Sequence, residues 1–321
     1  MRLIAVALAL AVVATALPAG GAAAAGRGRV RREMLVSTEW MGRHLDDPGV
    51  VVLHAGRTRD GYDAGHIPGA RFVALKDVAV ERDGIANQVP PVADLTALAR
   101  RLGLDDTRRI VLYDDEAGLI AARVYVVLDY LGLGDRTALL DGGMARWRTG
   151  ARPLATAAPA MTPTTFEPRL RPEVIVTLDA VRDLSWAVTQ GAGGVALLDA
   201  RPEPQYAGAD PTDGMPRPGH IPGAASLYWT RTLVSKEDPA LRSPDELRTL
   251  LAGAGATAAD MVVSYCRSGV QASFTYFVAR YLGYDARLYD GSFSEWSGRA
   301  DTPVAGPPAA APATPPPTPT P

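Results

Sequence analysis

Four short β-branched runs punctuate the chain: GVVVLHA at 49–55, RIVLYD at 109–114, GVALLDA at 194–200 and MVVSY at 261–265. Apolar runs of this length predict parallel strands buried on both faces. Between and after them the period lengthens, and LTALARRLGL, ARVYVVLDYLGL, LRTLLAGAG and ASFTYFVARYLG carry apolar residues at helical spacing. In the last, Phe274, Phe277, Val278, Tyr281 and Leu282 form a single buried helix face. Strands and helices in alternation predict an α/β fold of mainly parallel sheets flanked by helices, with right-handed crossovers. Ligands of such sheets bind outside the carboxyl ends of the strands.

Three landmarks occur twice in the same order. AGHIPGARF at 64–72 answers PGHIPGAAS at 218–226, IVLYDDEAG at 110–118 answers VVSYCRSGV at 262–270, and LLDGGMARW at 139–147 answers LYDGSFSEW at 288–296. The separations are 154 from His66 to His220, 152 from Asp114 to Cys266 and 149 from Asp141 to Asp290. Near-constant separations of this size predict two tandem copies of one domain, because a solenoid repeats at shorter periods and more often. The copies span 34–150 and 174–300. Residues 151–173, rich in Pro, Ala and Thr, read as a linker, and 301–321 as a disordered Pro-rich tail.

Arg2, the apolar run from Leu3 to Leu17 and the small-residue stretch up to Ala25 have the layout of a secretory signal peptide, residues 1–25. The run is shorter than the roughly 20 residues of a spanning helix. We expect cleavage near Ala25, a product that is secreted or held in the periplasm or cell envelope, and no membrane-spanning segment in it. Loss of Arg2 leaves 32 basic and 35 acidic residues. That balance offers no electrostatic footprint for nucleic acid or an anionic membrane.

Cys266 is the only cysteine, so an exported chain has no internal disulfide to make with it. It directly follows the MVVSY strand, and the loop CRSGVQAS must turn sharply there, with Gly269 permitting the turn. Successive N–H groups of such a loop, together with the start of the next helix, make an anion cradle. A thiol at its centre is expected as a thiolate near neutral pH. The alternative is a buried, inert cysteine, which Arg267, Ser268 and Gln271 make a poor fit.

The doubled GHIPGA, the doubled DG motif followed by a Trp, the LLDAR strand end and the CRSGVQA loop resemble the tandem-domain rhodanese family, the thiosulfate and 3-mercaptopyruvate sulfurtransferases, from about Val36 to Arg299. The resemblance implies two rhodanese-like domains and a persulfide relay: Cys266 takes the sulfane sulfur of a small-molecule donor and hands it to a thiophilic acceptor, cyanide or a thiol. By the same resemblance the backbone of Arg267, Ser268, Gly269, Val270 and Gln271 stabilises the anion, and Arg201 at a strand end binds the substrate anion. For Arg201 the alternative is an ion pair with Asp199 or Glu203. Asp114 stands where the second copy has Cys266, so the first copy is expected to be catalytically silent and to wall the site. No cofactor is expected, and His44, His54, His66 and His220 show no metal-ligand spacing. His66 and His220 are expected to fix the GHIPGA turns, and His54 takes the place of Asp199. A monomer is expected.

The donor is ambiguous in the loop itself. Thiosulfate-type members resemble CRKGV and mercaptopyruvate-type members CGSGV, whereas this chain has CRSGV. Arg267 suits a dianion and favours thiosulfate; Ser268 favours 3-mercaptopyruvate. Gln271 replaces a usual Thr. A cysteine phosphatase of related fold needs an Arg to clasp phosphate bidentately, but the sixth residue after Cys266 is Ala272. A non-enzymatic binding module is disfavoured by the intact cysteine.

Overall fold

The computed structural model describes residues 28–210, 214–257 and 261–306. The expected signal peptide and most of the expected tail lie outside them. In the first copy the strands are β1 (Leu35–Val36), β2 (Val50–Gly56), β3 (Arg71–Ala74), β4 (Val80–Arg82), β5 (Ile85–Gln88), β6 (Arg109–Tyr113) and β7 (Thr137–Leu140). Its helices are α1 (Thr38–Arg43), α2 (Asp60–Ala64), α3 (Val92–Arg101), α4 (Leu119–Tyr130) and α5 (Gly143–Thr149). The second copy repeats the plan with β8 (Ile175–Val176), β9 (Val195–Asp199), β10 (Ala225–Ser226), β11 (Met261–Tyr265) and β12 (Asp285–Tyr289). Its helices are α6 (Leu178–Thr189), α7 (Glu203–Tyr206), α8 (Pro244–Gly253), α9 (Val270–Tyr281) and α10 (Ser292–Gly298).

Each copy has a five-stranded sheet, ordered β1-β7-β6-β2-β3 and β8-β12-β11-β9-β10, and every pairing within these two is parallel. The duplication read from the motifs is therefore a duplication of topology. Its recurrent residues do structural work. His66 Nδ1 lies 2.8 Å from the Tyr62 carbonyl with its ring stacked on Tyr62, and His220 does the same on Tyr206 at 2.9 Å. Tyr113 Oη accepts the Ile67 N–H at 3.0 Å and Tyr265 Oη the Ile221 N–H at 3.1 Å. Both histidines thus fix their GHIPGA turns, as expected. The doubled tryptophans, Trp147 and Trp296, are fully buried and donate to the carbonyls of Pro153 and Pro303, each pinning the chain that leaves its domain.

That pinning corrects the tail boundary. Residues 301–306 pack on the second copy, where Ala305 and His220 exchange backbone hydrogen bonds of 2.7 and 2.9 Å. In the first copy Ala155 and His66 make the same exchange, so the linker runs along the domain surface; farther on, Arg169 and Arg171 donate to the carbonyls of Leu131 and Tyr130. Composition signals the lack of regular structure here, but not the partners that hold an irregular chain in place.

One apolar core crosses from copy to copy. Leu53, Leu112 and Tyr125 of the first share a cluster with Leu198, Val262 and Phe277 of the second. α4 packs on α9, with Tyr125 edge-on to Phe277 at 5.0 Å. The wholly buried Asp129 accepts from the Tyr276 hydroxyl at 2.6 Å and pairs with Arg280 at 3.2 Å and with Arg171. Such a charge is tolerated inside only because it is surrounded by donors.

Each copy also reaches over the other. The antiparallel hairpin β4–β5 of the first meets the Cys266 loop, while the Leu241 N–H of the second donates to Asp141 Oδ1 at 2.9 Å and Asp238 pairs with Arg146 at 2.6 Å. Among the described residues no helix is long and apolar enough to cross a membrane.

Candidate active site

Cys266 sits at the carboxyl end of β11, the central strand of its sheet, and α9 begins four residues later at Val270. The intervening turn closes through Gly269 at φ 86°. A Cβ there would come within 3.0 Å of Asp290 Oδ1 and 3.2 Å of Arg123 Nη1, so both backbone angle and space require glycine. The loop is braced from behind: Ser292 Oγ accepts the Cys266 N–H at 3.3 Å, and the Phe293 and Ser294 N–H groups donate to the carbonyls of Cys266 and Arg267.

The thiol is 1% exposed and faces the N–H groups of Ala272, Ser268 and Gln271. Gln271 and Ala272 lie in the first turn of α9, where N–H groups have no intrahelical partner. Of the residues expected to form the cradle, 267–271, the N–H groups of Ser268 and Gln271 face the sulfur, and Ala272 beyond them does so too. The expected thiolate near neutral pH is not supported. Burial pushes the thiol above its ordinary value, the Asp199 carboxylate pushes the same way, and the N–H donors only partly offset them. The loop sequence displays the donors and conceals the burial.

The first copy holds the same cradle already filled. Asp114, at the end of β6 and 1% exposed, accepts at Oδ1 from the N–H groups of Glu116 (2.9 Å) and Gly118 (2.7 Å). At Oδ2 it accepts from Ile120 (2.7 Å) and Ala121 (2.9 Å). This loop carries one extra residue, Ala117, at φ 60°. Allowing for it, Glu116, Ile120 and Ala121 correspond to Ser268, Gln271 and Ala272. The same three donors that face the sulfur in one copy clasp a carboxylate in the other, so the loop geometry is that of an anion site. The first copy's cradle is thus occupied by its own side chain, with a carboxyl group where the second copy has the thiol.

The remaining expected residues divide. Arg267 is exposed at the mouth of the loop, its guanidinium beside Gly214. Ser268 is half-buried, and Val270 is buried as the first residue of α9. Arg201 lies deeper. It is fully buried, pairs with Asp199 at 2.6 Å, donates to the Gly219 carbonyl at 2.7 Å and lies 4.1 Å over the Phe293 ring. Its guanidinium pairs with an equally buried carboxylate, the ion pair expected as the alternative to substrate binding. In the first copy His54, at the position of Asp199, instead pairs with Asp115 at 2.9 Å. Trp229 stands 5.2 Å from Phe274 in the core.

Two contributors, Asn87 and Arg123, were not singled out from sequence, and a third, Asp290, was read only as a landmark of the repeat. Asn87 Nδ2, from the first copy, donates to Ser268 Oγ at 2.8 Å. Arg123, buried in α4, donates to Asp290 Oδ1 at 2.7 Å and to the carbonyls of Asn87 (2.6 Å) and Val78 (3.2 Å). Asp290 Oδ2 accepts the Val89 N–H at 2.6 Å. A charge inside the apolar run ARVYVVLDY was a usable signal for Arg123; nothing marked Asn87. Among the described residues no group of three or more His, Cys, Asp or Glu is placed to hold a metal ion.

A family model described as rhodanese-like domain matches residues 37–149 and again 186–299. The chain is 35% identical over 285 residues to the sulfur carrier protein TtuD of Thermus thermophilus, covering 85% of this chain and 96% of that one. It is 35% identical over 246 residues to a thiosulfate sulfurtransferase of Pseudomonas aeruginosa, covering 76% and 86%. The crystal structure of SseA, a 3-mercaptopyruvate sulfotransferase of Escherichia coli, superposes with a TM-score of 0.70 at 26% identity, over 81% of this chain and 98% of that one.

Proposed function

The chain belongs to the rhodanese-like family and is a sulfurtransferase; from that premise we propose that it moves the sulfane sulfur of thiosulfate to a thiophilic acceptor, cyanide or a thiol, through a persulfide on Cys266. The observation that carries this is a lone thiol inside an anion cradle whose twin in the first copy clasps a carboxylate. The Cys266 thiolate attacks the outer sulfur of thiosulfate. A sulfur–sulfur bond forms as the donor's own breaks, and sulfite departs with the bonding pair. The persulfide anion then gives its outer sulfur to cyanide, forming thiocyanate and restoring the thiolate. Charge is conserved at both steps, so the chain's part is to bind, orient and stabilise anions.

Arg267 supports thiosulfate as donor, since an exposed guanidinium beside the cradle suits a compact dianion. With Arg201 tied to Asp199, it acts there without a second arginine. Ser268 supports a second reading, 3-mercaptopyruvate, because its hydroxyl is held in the loop by Asn87. In that reaction the carbon–sulfur bond breaks and the donor's thiol proton ends on the pyruvate carbon. Intact mass after incubation with thiosulfate tests the nucleophile: we expect one added sulfur in the wild type and none in Cys266→Ser, and persulfide in the variant would overturn the assignment. We further propose export, so sequencing of the cellular product should begin near Gly26; an intact Met1 on cytoplasmic protein would refute it.

A further inference from the structure

The network that joins the copies ends on the loop, at one side chain. Ser268 supplies a cradle N–H through its backbone, while its hydroxyl oxygen receives the Asn87 amide at 2.8 Å. A hydroxyl has one proton and two acceptor lone pairs. With one lone pair taken by an N–H, the proton must point elsewhere, and among the described residues no acceptor takes it. Asn87 is itself fixed. It adopts φ 60°, a left-handed conformation that Asn tolerates better than most residues, and its carbonyl accepts from Arg123 at 2.6 Å. Directly after it, Gln88 Nε2 and the Val89 N–H bind Asp290 at 3.0 and 2.6 Å. The C-terminal end of β5 is therefore locked to the second copy around Ser268.

We propose that Asn87 is a positioning residue of the sulfur-transfer site: by occupying the outward lone pair of Ser268, it aims the hydroxyl proton at an oxygen of the bound donor. The silent copy thereby contributes to handling of the donor. The inference rests on the persulfide reading above. Its consequence differs between donors. Thiosulfate oxygens carry charge before reaction as well as during it, so a donated hydrogen bond stabilises ground and transition states alike. Mercaptopyruvate develops enolate charge on its carbonyl oxygen only as the carbon–sulfur bond breaks, so the same bond acts in the transition state.

The test is steady-state kinetics of Asn87→Gly, which preserves the left-handed backbone and the carbonyl to Arg123, alongside Asn87→Asp, Ser268→Ala and the double variant Asn87→Gly/Ser268→Ala. For Asn87→Gly we expect KM for thiosulfate to rise about three- to tenfold with kcat nearly unchanged, and kcat for mercaptopyruvate to fall by a similar factor. Asn87→Asp, which reverses the hydrogen bond and adds a negative charge, should be worse with thiosulfate and recover as pH falls. The double variant should match Ser268→Ala, because Asn87 acts through that hydroxyl. Unchanged constants for both donors in Asn87→Gly, or a double variant whose losses multiply, would overturn the role of Asn87. A wild type that takes sulfur from neither donor would instead overturn the functional reading.

Discussion

Removing the Asp114 carboxylate from the first copy should turn its cradle into a measurable anion site. In Asp114→Ala four N–H groups now bonded at 2.7–2.9 Å lose their partner in a position that is 1% exposed. An orphaned buried donor costs about 1–3 kcal/mol, which bounds the loss near 8 kcal/mol on a middle value of about 2 for each. Water entering the vacated volume satisfies roughly half of the donors. The expected net loss is then about 4 kcal/mol, or a fall of roughly 8–16 °C in Tm at about 2–4 °C per kcal/mol for a chain of this size. Thermal unfolding in a sulfate series matched to chloride for ionic strength is the assay. Sulfate stabilises proteins generally by exclusion from their surfaces, so the quantity of interest is the excess gain of the variant over the wild type. A cradle saturated at a hundred times its Kd regains about 2.7 kcal/mol. A Tm within about 2 °C of wild type, or equal sulfate gains in both proteins, would refute the view that these N–H groups form an anion site, and with it the reading of their counterparts around Cys266.

Arg267→Gly should lower kcat/KM for thiosulfate roughly ten- to hundredfold, since a charge-assisted contact of about 1.5–3 kcal/mol is lost, and should cost less with mercaptopyruvate; equal losses with both donors would mean that Arg267 only shapes the loop. Because burial raises the Cys266 thiol, alkylation by iodoacetamide and persulfide formation should both climb with pH to a midpoint above the ordinary thiol value of about 8.5, and a midpoint at or below neutrality would contradict the burial argument. The same shift has a stability sign. The contribution of the protonated thiol is whole below its ordinary pKa and is lost as pH rises through the folded value, so Cys266→Ser should flatten the alkaline fall in Tm.

Much of the architecture was legible because it repeats. GVVVLHA, RIVLYD, GVALLDA and MVVSY became β2, β6, β9 and β11, and the helical periods became α3, α4, α8 and α9. Cys266 and its loop could be located for the same reason: a strand ending in a glycine turn dictates where N–H groups point. The short strands β1, β3, β8 and β10 carry too few residues to show a period, and β4–β5 is exposed and polar around a Gly at its tip. Arg201 illustrates the other limit. DAR at a strand end is compatible with an exposed or a buried arginine, and its burial here comes from the Asp199 pair and the packing of Phe293 against the guanidinium, neither visible in the local sequence. Asn87 lies 181 residues from Ser268, a contact that no local pattern encodes.

The way each copy reaches over the other bears on how such a chain can evolve. Asp290, beside the Cys266 loop, is satisfied by Val89 and Arg123 from the first half, and Asp141, beside the Asp114 loop, is satisfied by Leu241 from the second. Deleting either half strips a partner from a buried or half-buried acid of the survivor and uncovers apolar surface on α4 or α9. The two halves are thus mutual chaperones of their buried acids: a substitution that frees either domain from its neighbour must also resolve the charge it leaves behind.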